Sequence, residues 1–156
     1  LPTIKGKAYN LEVTNLYPLK DNSIDLIITS PPYTRVIKYG QFNWIRLWFL
    51  DKKARDIDKK LFFTQSIDKY CNFIFNTLKE IKRILKPNKK LILIIGDIKE
   101  KRLAEIVWKR CAEPLGFRLV EDIIEDRIKD CNKVSKIWGE KKGNVTKIER
   151  ILVLEK

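Results

Sequence analysis

The most informative segment of this chain is IDLIITSPPY, Ile24 to Tyr33. Its apolar part, Ile24 to Thr29, ends at the proline pair Pro31-Pro32, which is typical of a short buried strand. Leu91 to Ile95 (LILII) is a second continuous apolar run of the same kind. Two such strands without polar alternation predict a parallel sheet that is covered on both faces.

Helical periodicity appears between and after these strands. A stripe at three- and four-residue steps predicts a helix that Pro87 ends. A second helix is predicted at about Lys101 to Pro114, and strand, helix, strand, helix is the α/β pattern. The first stripe contains Ile67, Cys71, Ile74, Leu78, Ile81 and Leu85, and the second helix should turn Leu103, Ile106, Val107 and Cys111 inward.

The two ends of the chain differ in character. Phe117 to Ile128 and Lys147 to Leu154 are strand-like and are predicted to form a closing antiparallel pair at the sheet edge. Ala8 to Val13 is a candidate for one more short strand. No repeat or linker divides residues 1–156, so a single domain is expected.

Composition restricts the functions that can be considered. The chain has 33 Lys plus Arg against 20 Asp plus Glu, a formal charge of +13, which favours a polyanionic partner such as nucleic acid. A lysine-rich, heat-adapted lineage explains the same charge equally well. With no His, His-based catalysis is excluded, and Cys71, Cys111 and Cys131 lack the spacing of a zinc site.

Reduced buried thiols, together with the absence of a signal peptide and of a long apolar run, predict a cytoplasmic protein with no metal and no membrane partner. The chain opens at Leu1 and contains no methionine, so we expect the natural start to lie outside it.

The chemistry of the chain is concentrated in Thr29 to Tyr33. This segment follows a parallel strand, at the sheet end where ligands bind in open α/β folds. Pro31 and Pro32 have no N–H groups and hold the chain extended, so nearby carbonyls can accept hydrogen bonds from a ligand. With the Ser30 hydroxyl and the Tyr33 ring, the segment suits a flat group that carries an exocyclic amine. The alternative is a simple strand stop followed by a packed aromatic ring.

Asp25 to Tyr33, preceded by LKDNSI (19–24), resembles the catalytic motif of DNA amino-methyltransferases, the N4-cytosine/N6-adenine group. The similarity continues through most of the chain. Later landmarks follow in the family's order: Tyr39 with RLWFL (46–50), IIGD (94–97), LGF (115–117), and Thr146-Lys147 with ERILVLEK (149–156).

The resemblance implies a Rossmann-like methyltransferase fold with a mostly parallel sheet and an antiparallel edge hairpin. It also implies S-adenosyl-L-methionine as cofactor and DNA as substrate. Family members with Ser at the first motif position, as at Ser30 here, tend to methylate cytosine N4, whereas those with Asp tend to methylate adenine N6. The implied catalytic residues are Ser30, Pro31, Pro32 and Tyr33; the cofactor-binding residues are Asn10, Ser30 and Pro31; and the nucleic-acid contacts are Tyr33, Arg35, Lys38, Lys52, Lys53, Lys141 and Lys142. Trp44 and Trp48, four residues apart on a predicted helix, are interpreted as core.

One family feature is missing. The glycine-rich turn that lets the backbone approach the methionine part of the cofactor requires Gly-x-Gly, and no two of the six glycines are separated by one residue. The fold is therefore expected to be incomplete, with the glycine loop and the first strands supplied by another segment or a second chain. Three interpretations stay open: part of a working DNA enzyme, which we favour, a degenerate nucleic-acid-binding module, and an RNA base methyltransferase.

Overall fold

A computed structural model describes residues 5–32, 38–97, 102–127 and 148–156. Its centre is a five-stranded sheet in the order β1-β2-β5-β3, with β4 also paired to β5. β1 is parallel to β2, whereas β5 is antiparallel to β2, β3 and β4. The described strands other than β5 therefore run in one direction. The strands are β1 (Ile24–Thr29), β2 (Leu85–Gly96), β3 (Arg118–Leu119), β4 (Ile124–Arg127) and β5 (Ile148–Glu155).

Short helices lie between β1 and the main helix, and a longer helical stretch follows β2. These are α1 (Tyr39–Phe42), α2 (Trp44–Phe49), α3 (Ala54–Lys60), α4 (Ile67–Ile84) and α5 (Leu103–Val107). α5 continues through a π-helical turn (Trp108–Ala112) and a 3-10 turn (Glu113–Leu115), so the predicted second helix is confirmed over the described residues. No described helix has both the length and the apolar character needed to cross a membrane.

The long helix α4 forms where its apolar stripe predicts it. The Ser66 hydroxyl accepts a hydrogen bond from the Lys69 N–H at the start, and Lys82 and Arg83 lie in the last turn, where cations are favourable. The helix ends at Ile84, shortly before Pro87, which cannot continue a helix because it lacks an N–H and its ring clashes with the preceding turn. Leu85 was predicted as its last apolar position, but Leu85 is the first residue of β2 and is fully buried there.

The core lies on one face of the sheet. Buried Leu91, Leu93 and Ile95 of β2 and Leu152 and Leu154 of β5 pack against α4 and the helical stretch 103–115. The predicted cover on both faces is not met within the described residues, since Leu26 is 52% and Ile28 61% exposed on β1. The described part of the protein is therefore a two-layer structure with one open sheet face.

Three local predictions have different outcomes. The antiparallel pair is confirmed, with β5 joined to β3 and β4. The strand predicted at 8–13 is wrong, because the chain has no regular structure over 5–12 and no strand pairs with it in the described residues. The core interpretation of Trp44 and Trp48 is also wrong: they are 51% and 69% exposed, because the short α2 packs beside α1 and α3 rather than on the sheet.

Candidate functional site

The Ser-Pro-Pro segment lies directly beyond the carboxyl end of β1. Thr29, the last residue of β1, pairs with Leu93, and the parallel strand β2 continues to Gly96 at the same edge. The carboxyl ends of parallel strands are where ligands bind in open α/β sheets. The structure thus confirms the strand and the strand end on which the predicted site depends.

The residues of this segment differ in their exposure to solvent. Pro31 is buried and Pro32 half-buried, whereas Ser30 is exposed. The prolines restrict the backbone and donate no hydrogen bonds of their own, and buried Pro31 holds the neighbouring Ser30 at the surface. Tyr33 and Arg35, the other predicted members, lie outside the described residues, so their roles stay predictions.

The remaining predicted contact residues are spread over the surface. Asn10 is exposed in a segment without regular structure, so the strand end on which its cofactor assignment depended is not formed. Lys38 immediately precedes α1, and Lys52 and Lys53 connect α2 to α3; all three are exposed. Lys141 and Lys142 lie outside the described residues.

A buried ionic network fixes the end of β2 next to this site. Asp97 follows Gly96 and its side chain is 7% exposed, as is that of Arg150 on β5. The Arg150 Nε donates to Asp97 Oδ2 over 2.7 Å, and the Leu103 N–H donates to Asp97 Oδ1 over 3.1 Å. Glu125 Oε2 on β4 lies 2.9 Å from the Arg150 Nη2. One carboxylate therefore joins β2, β5 and the start of α5.

The network also keeps Arg150 charged. Burial by itself lowers the pKa of Arg150, but its hydrogen bond to Asp97 and the charges of Asp97 and Glu125 outweigh this, so the pKa is raised. Sequence reasoning noted Asp97 and Arg150 as separate landmarks and missed their contact. The two residues are 53 positions apart in the sequence. The one local feature that could have indicated a buried partner for Arg150 is its position as a charged residue in the strand-like run ERILVL.

The outer side of β1 is open in the described part of the chain. β1 lies at one end of the strand order, with β2 as its described neighbour. Its exposed Leu26 and Ile28 and its unpaired backbone edge are features that proteins normally cover. An open edge at β1 agrees with the expectation that the first strands of the sheet come from another segment or a second chain.

Within the described residues, the sheet has one antiparallel strand, β5, and the Ser-Pro-Pro segment follows the carboxyl end of a parallel strand, as expected for a Rossmann-like methyltransferase fold. The family model N6_N4_Mtase, described as DNA methylase, matches residues 24–156. The chain therefore belongs to this DNA methylase family.

Solved structures share the fold at low sequence identity. TTHA0409 of Thermus thermophilus, provisionally assigned as a DNA modification methylase and complexed with S-adenosyl-L-methionine, matches with a TM-score of 0.52 and 21% identity, over 89% of this chain and 50% of that chain. Its selenomethionine derivative gives 0.51 and 19%, over 89% and 47%. The cytosine-N4-specific PvuII DNA methyltransferase gives 0.55 and 16%, over 88% and 44%.

The chain thus spans about half the length of the solved structures that it matches. No curated protein matches it significantly.

Proposed function

We propose that this protein transfers a methyl group from S-adenosyl-L-methionine to the exocyclic amine of a DNA base, with cytosine N4 as the acceptor. The observation that carries the proposal is the position of Ser30-Pro31-Pro32 at the carboxyl end of β1, in a chain of the DNA methylase family. The cytosine preference rests on Ser30, the first motif residue.

The chemistry assigned to this chain is orientation of the acceptor. An exocyclic base amine is a weak nucleophile because its lone pair is delocalised into the ring. If the amine donates hydrogen bonds to Ser30 Oγ and to the Pro31 carbonyl, its nitrogen becomes more pyramidal and its lone pair points in one direction. Exposed Ser30 on a backbone anchored by buried Pro31 suits this task, because a preorganised acceptor pair needs no rearrangement during reaction.

Access to the amine requires that the base leave the DNA helix. Tyr33 is the residue proposed to stack on the extruded ring. The charge of +13 and the exposed Lys38, Lys52 and Lys53 support contact with the phosphate backbone.

The residues present fit the acceptor amine but not the whole cofactor. When bound, the cofactor supplies an already activated methyl group. Its methionine part needs a glycine-rich turn, which this sequence lacks. We assign that turn to a further segment or a second chain, which would also cover the open edge of β1 and the exposed Leu26 and Ile28.

The test combines cofactor binding with product analysis. Calorimetry of this chain with S-adenosyl-L-methionine should show weak binding or none, and adding a Gly-x-Gly-containing methylase segment should restore both binding and transfer to DNA. Mass spectrometry of the digested product should find N4-methylcytosine. Micromolar binding by the chain alone would show that our account of the cofactor site is wrong. Methylation of tRNA instead of DNA would support the RNA interpretation, and inactivity of the restored protein would support the non-catalytic one.

A matched pair of serines tests the role of the motif itself. Ser30→Ala should slow transfer while DNA affinity stays nearly unchanged, because the hydrogen bond is proposed to matter most in the transition state. Ser23→Ala is the control, since the Ser23 hydroxyl donates to the Lys20 carbonyl at the opposite end of the same strand. Equal rates for the two variants would remove Ser30 from the site.

A further inference from the structure

A second candidate site lies away from the strand ends, between α1, α3 and the residues that follow α3. It is a cavity of about 220 Å³, which we call the basic pocket. Typical small-molecule pockets measure roughly 300–1,000 Å³, so this cavity is too small to enclose a large cofactor. The lining residues that matter here are Lys38, Tyr39, Arg55, Asp58, Lys59 and Phe63.

The basic pocket carries excess positive charge. Lys38, Arg55 and Lys59 are exposed, and none of the three has an ion-pair partner among the described residues. Asp58 is the one acidic residue in the lining, and its carboxylate already accepts the N–H groups of Gly40 over 2.6 Å and Gln41 over 3.1 Å. Three cations therefore line a cavity whose single carboxylate is already hydrogen-bonded to backbone N–H groups.

Helix stability does not account for Arg55. Arg55 and Lys59 are four residues apart on α3, a spacing at which like charges repel. Arg55 also lies in the first turn, where the helix dipole disfavours a cation, whereas Lys59 in the last turn is favourably placed. The position of Arg55 is thus the least favourable for the helix, and a bound anion would stabilise a cation there.

The basic pocket is built on a rigid frame. A Cβ atom at Gly40 would lie 2.2 Å from the Ala54 carbonyl oxygen, so α1 contacts the start of α3 backbone to backbone. Phe62 stacks on Phe73 of α4 with ring centroids 4.0 Å apart and planes 10° apart, which ties the pocket to the core. Its neighbour Phe63 is 42% exposed and is free of the core cluster.

We propose that the basic pocket binds one nucleotide of DNA near the target base, with its phosphodiester between Lys38, Arg55 and Lys59 and its base against Phe63. The DNA substrate in this inference rests on the proposed function. Lys38 is six residues after Pro32, so the chain holds their Cα atoms within about 22 Å of each other. At about 3.4 Å per base step, the pocket can reach a phosphate within roughly six steps of the extruded base.

Fluorescence anisotropy with short labelled DNA is the test, repeated between about 50 and 200 mM salt. The pocket variant is Lys38→Gln, Arg55→Gln and Lys59→Gln combined. Its control removes equal charge from exposed positions on α4 and the π-helical turn, Lys69→Gln, Lys79→Gln and Lys109→Gln. Loss of one phosphate contact should reduce the salt slope of duplex binding by about 0.9 in the pocket variant, and the control should keep the wild-type slope.

A variant of Phe63 and a matched control variant test the proposed aromatic contact with the DNA base. Phe63→Ala should weaken binding of single-stranded DNA by about 5- to 140-fold, the loss of one base stack. Phe49→Ala removes a ring that is 76% exposed outside the pocket and should leave affinity unchanged.

Two results would overturn the inference, and they are distinguishable. If wild type binds DNA and the pocket and control variants have the same slope, the basic pocket is not a nucleotide site, while the proposed methyl transfer is unaffected. If wild type does not bind DNA at all, both the pocket assignment and the DNA substrate are wrong.

Discussion

The buried pair of Asp97 and Arg150 should dominate the stability of the sheet end beside the Ser-Pro-Pro segment. Arg150→Met keeps the length of the side chain but removes its charge. Asp97 is then left as a buried carboxylate whose remaining described donor is the Leu103 N–H. Breaking a buried pair in this way costs about 3–5 kcal/mol in the free energy of unfolding. For a protein of this size each kcal/mol lowers Tm by about 2–4 °C, so the expected loss is roughly 6–20 °C.

Urea unfolding and thermal melting on the same preparations measure this cost. Arg118→Met is the control, because Arg118 is 66% exposed and its ion pair with Glu155 should contribute only about 0–1 kcal/mol. Combining Asp97→Asn with Arg150→Met should recover part of the loss, since a neutral amide still accepts from Leu103 but leaves no unpaired charge. If Arg150→Met costs no more than Arg118→Met, or if the double variant is no better than Arg150→Met alone, the network does not act as described.

Three further predictions concern other parts of the chain. Burial, together with the neighbouring Cys71, raises the pKa of the Cys111 thiol to about 12. Cys111 should therefore resist a thiol reagent at pH 8 until denaturant is added, and rapid labelling of the native protein would contradict its burial. Glu80 accepts hydrogen bonds from Arg83 and the Leu16 N–H, and these lower the pKa of Glu80 below its usual 4.5. Their contribution to stability is therefore complete above pH 4.5 and is lost as the pH falls through the pKa of the folded protein. Glu80→Gln should weaken this loss of stability at acid pH, and an unchanged pH dependence would refute the prediction. Tyr33→Ala should cut methyl transfer by the restored enzyme severely at unchanged Tm, and a large loss of Tm would return Tyr33 to a packing role.

Local sequence features predicted the elements whose boundaries have local causes. β1 has the predicted bounds, Ile24–Thr29, because a polar stretch precedes the apolar run and prolines follow it. α4 follows its stripe because one apolar face and a serine cap are properties of consecutive residues. The Ser-Pro-Pro segment was located by the same reasoning, because it requires only a strand that ends before two prolines.

Errors arose where a partner outside the local segment decides the outcome. The segment 8–13 has strand-like residues but no neighbouring strand among the described ones, and an unpaired strand is not stable in water. Trp44 and Trp48 have helical spacing, yet the spacing does not say whether the helix reaches the core, and α2 does not.

The amino-acid sequence was sufficient to predict the first strand, the prolines that follow it, the long helix and the lack of a Gly-x-Gly pair, because each depends on neighbouring residues or on the presence of a residue type. Only the tertiary structure decided that Asp97 meets Arg150 across 53 residues, that one face of β1 is open in the described part of the chain, and that Lys38, Arg55 and Lys59 surround one cavity. These are contacts between distant segments, and their geometry is set by how the helices and strands pack.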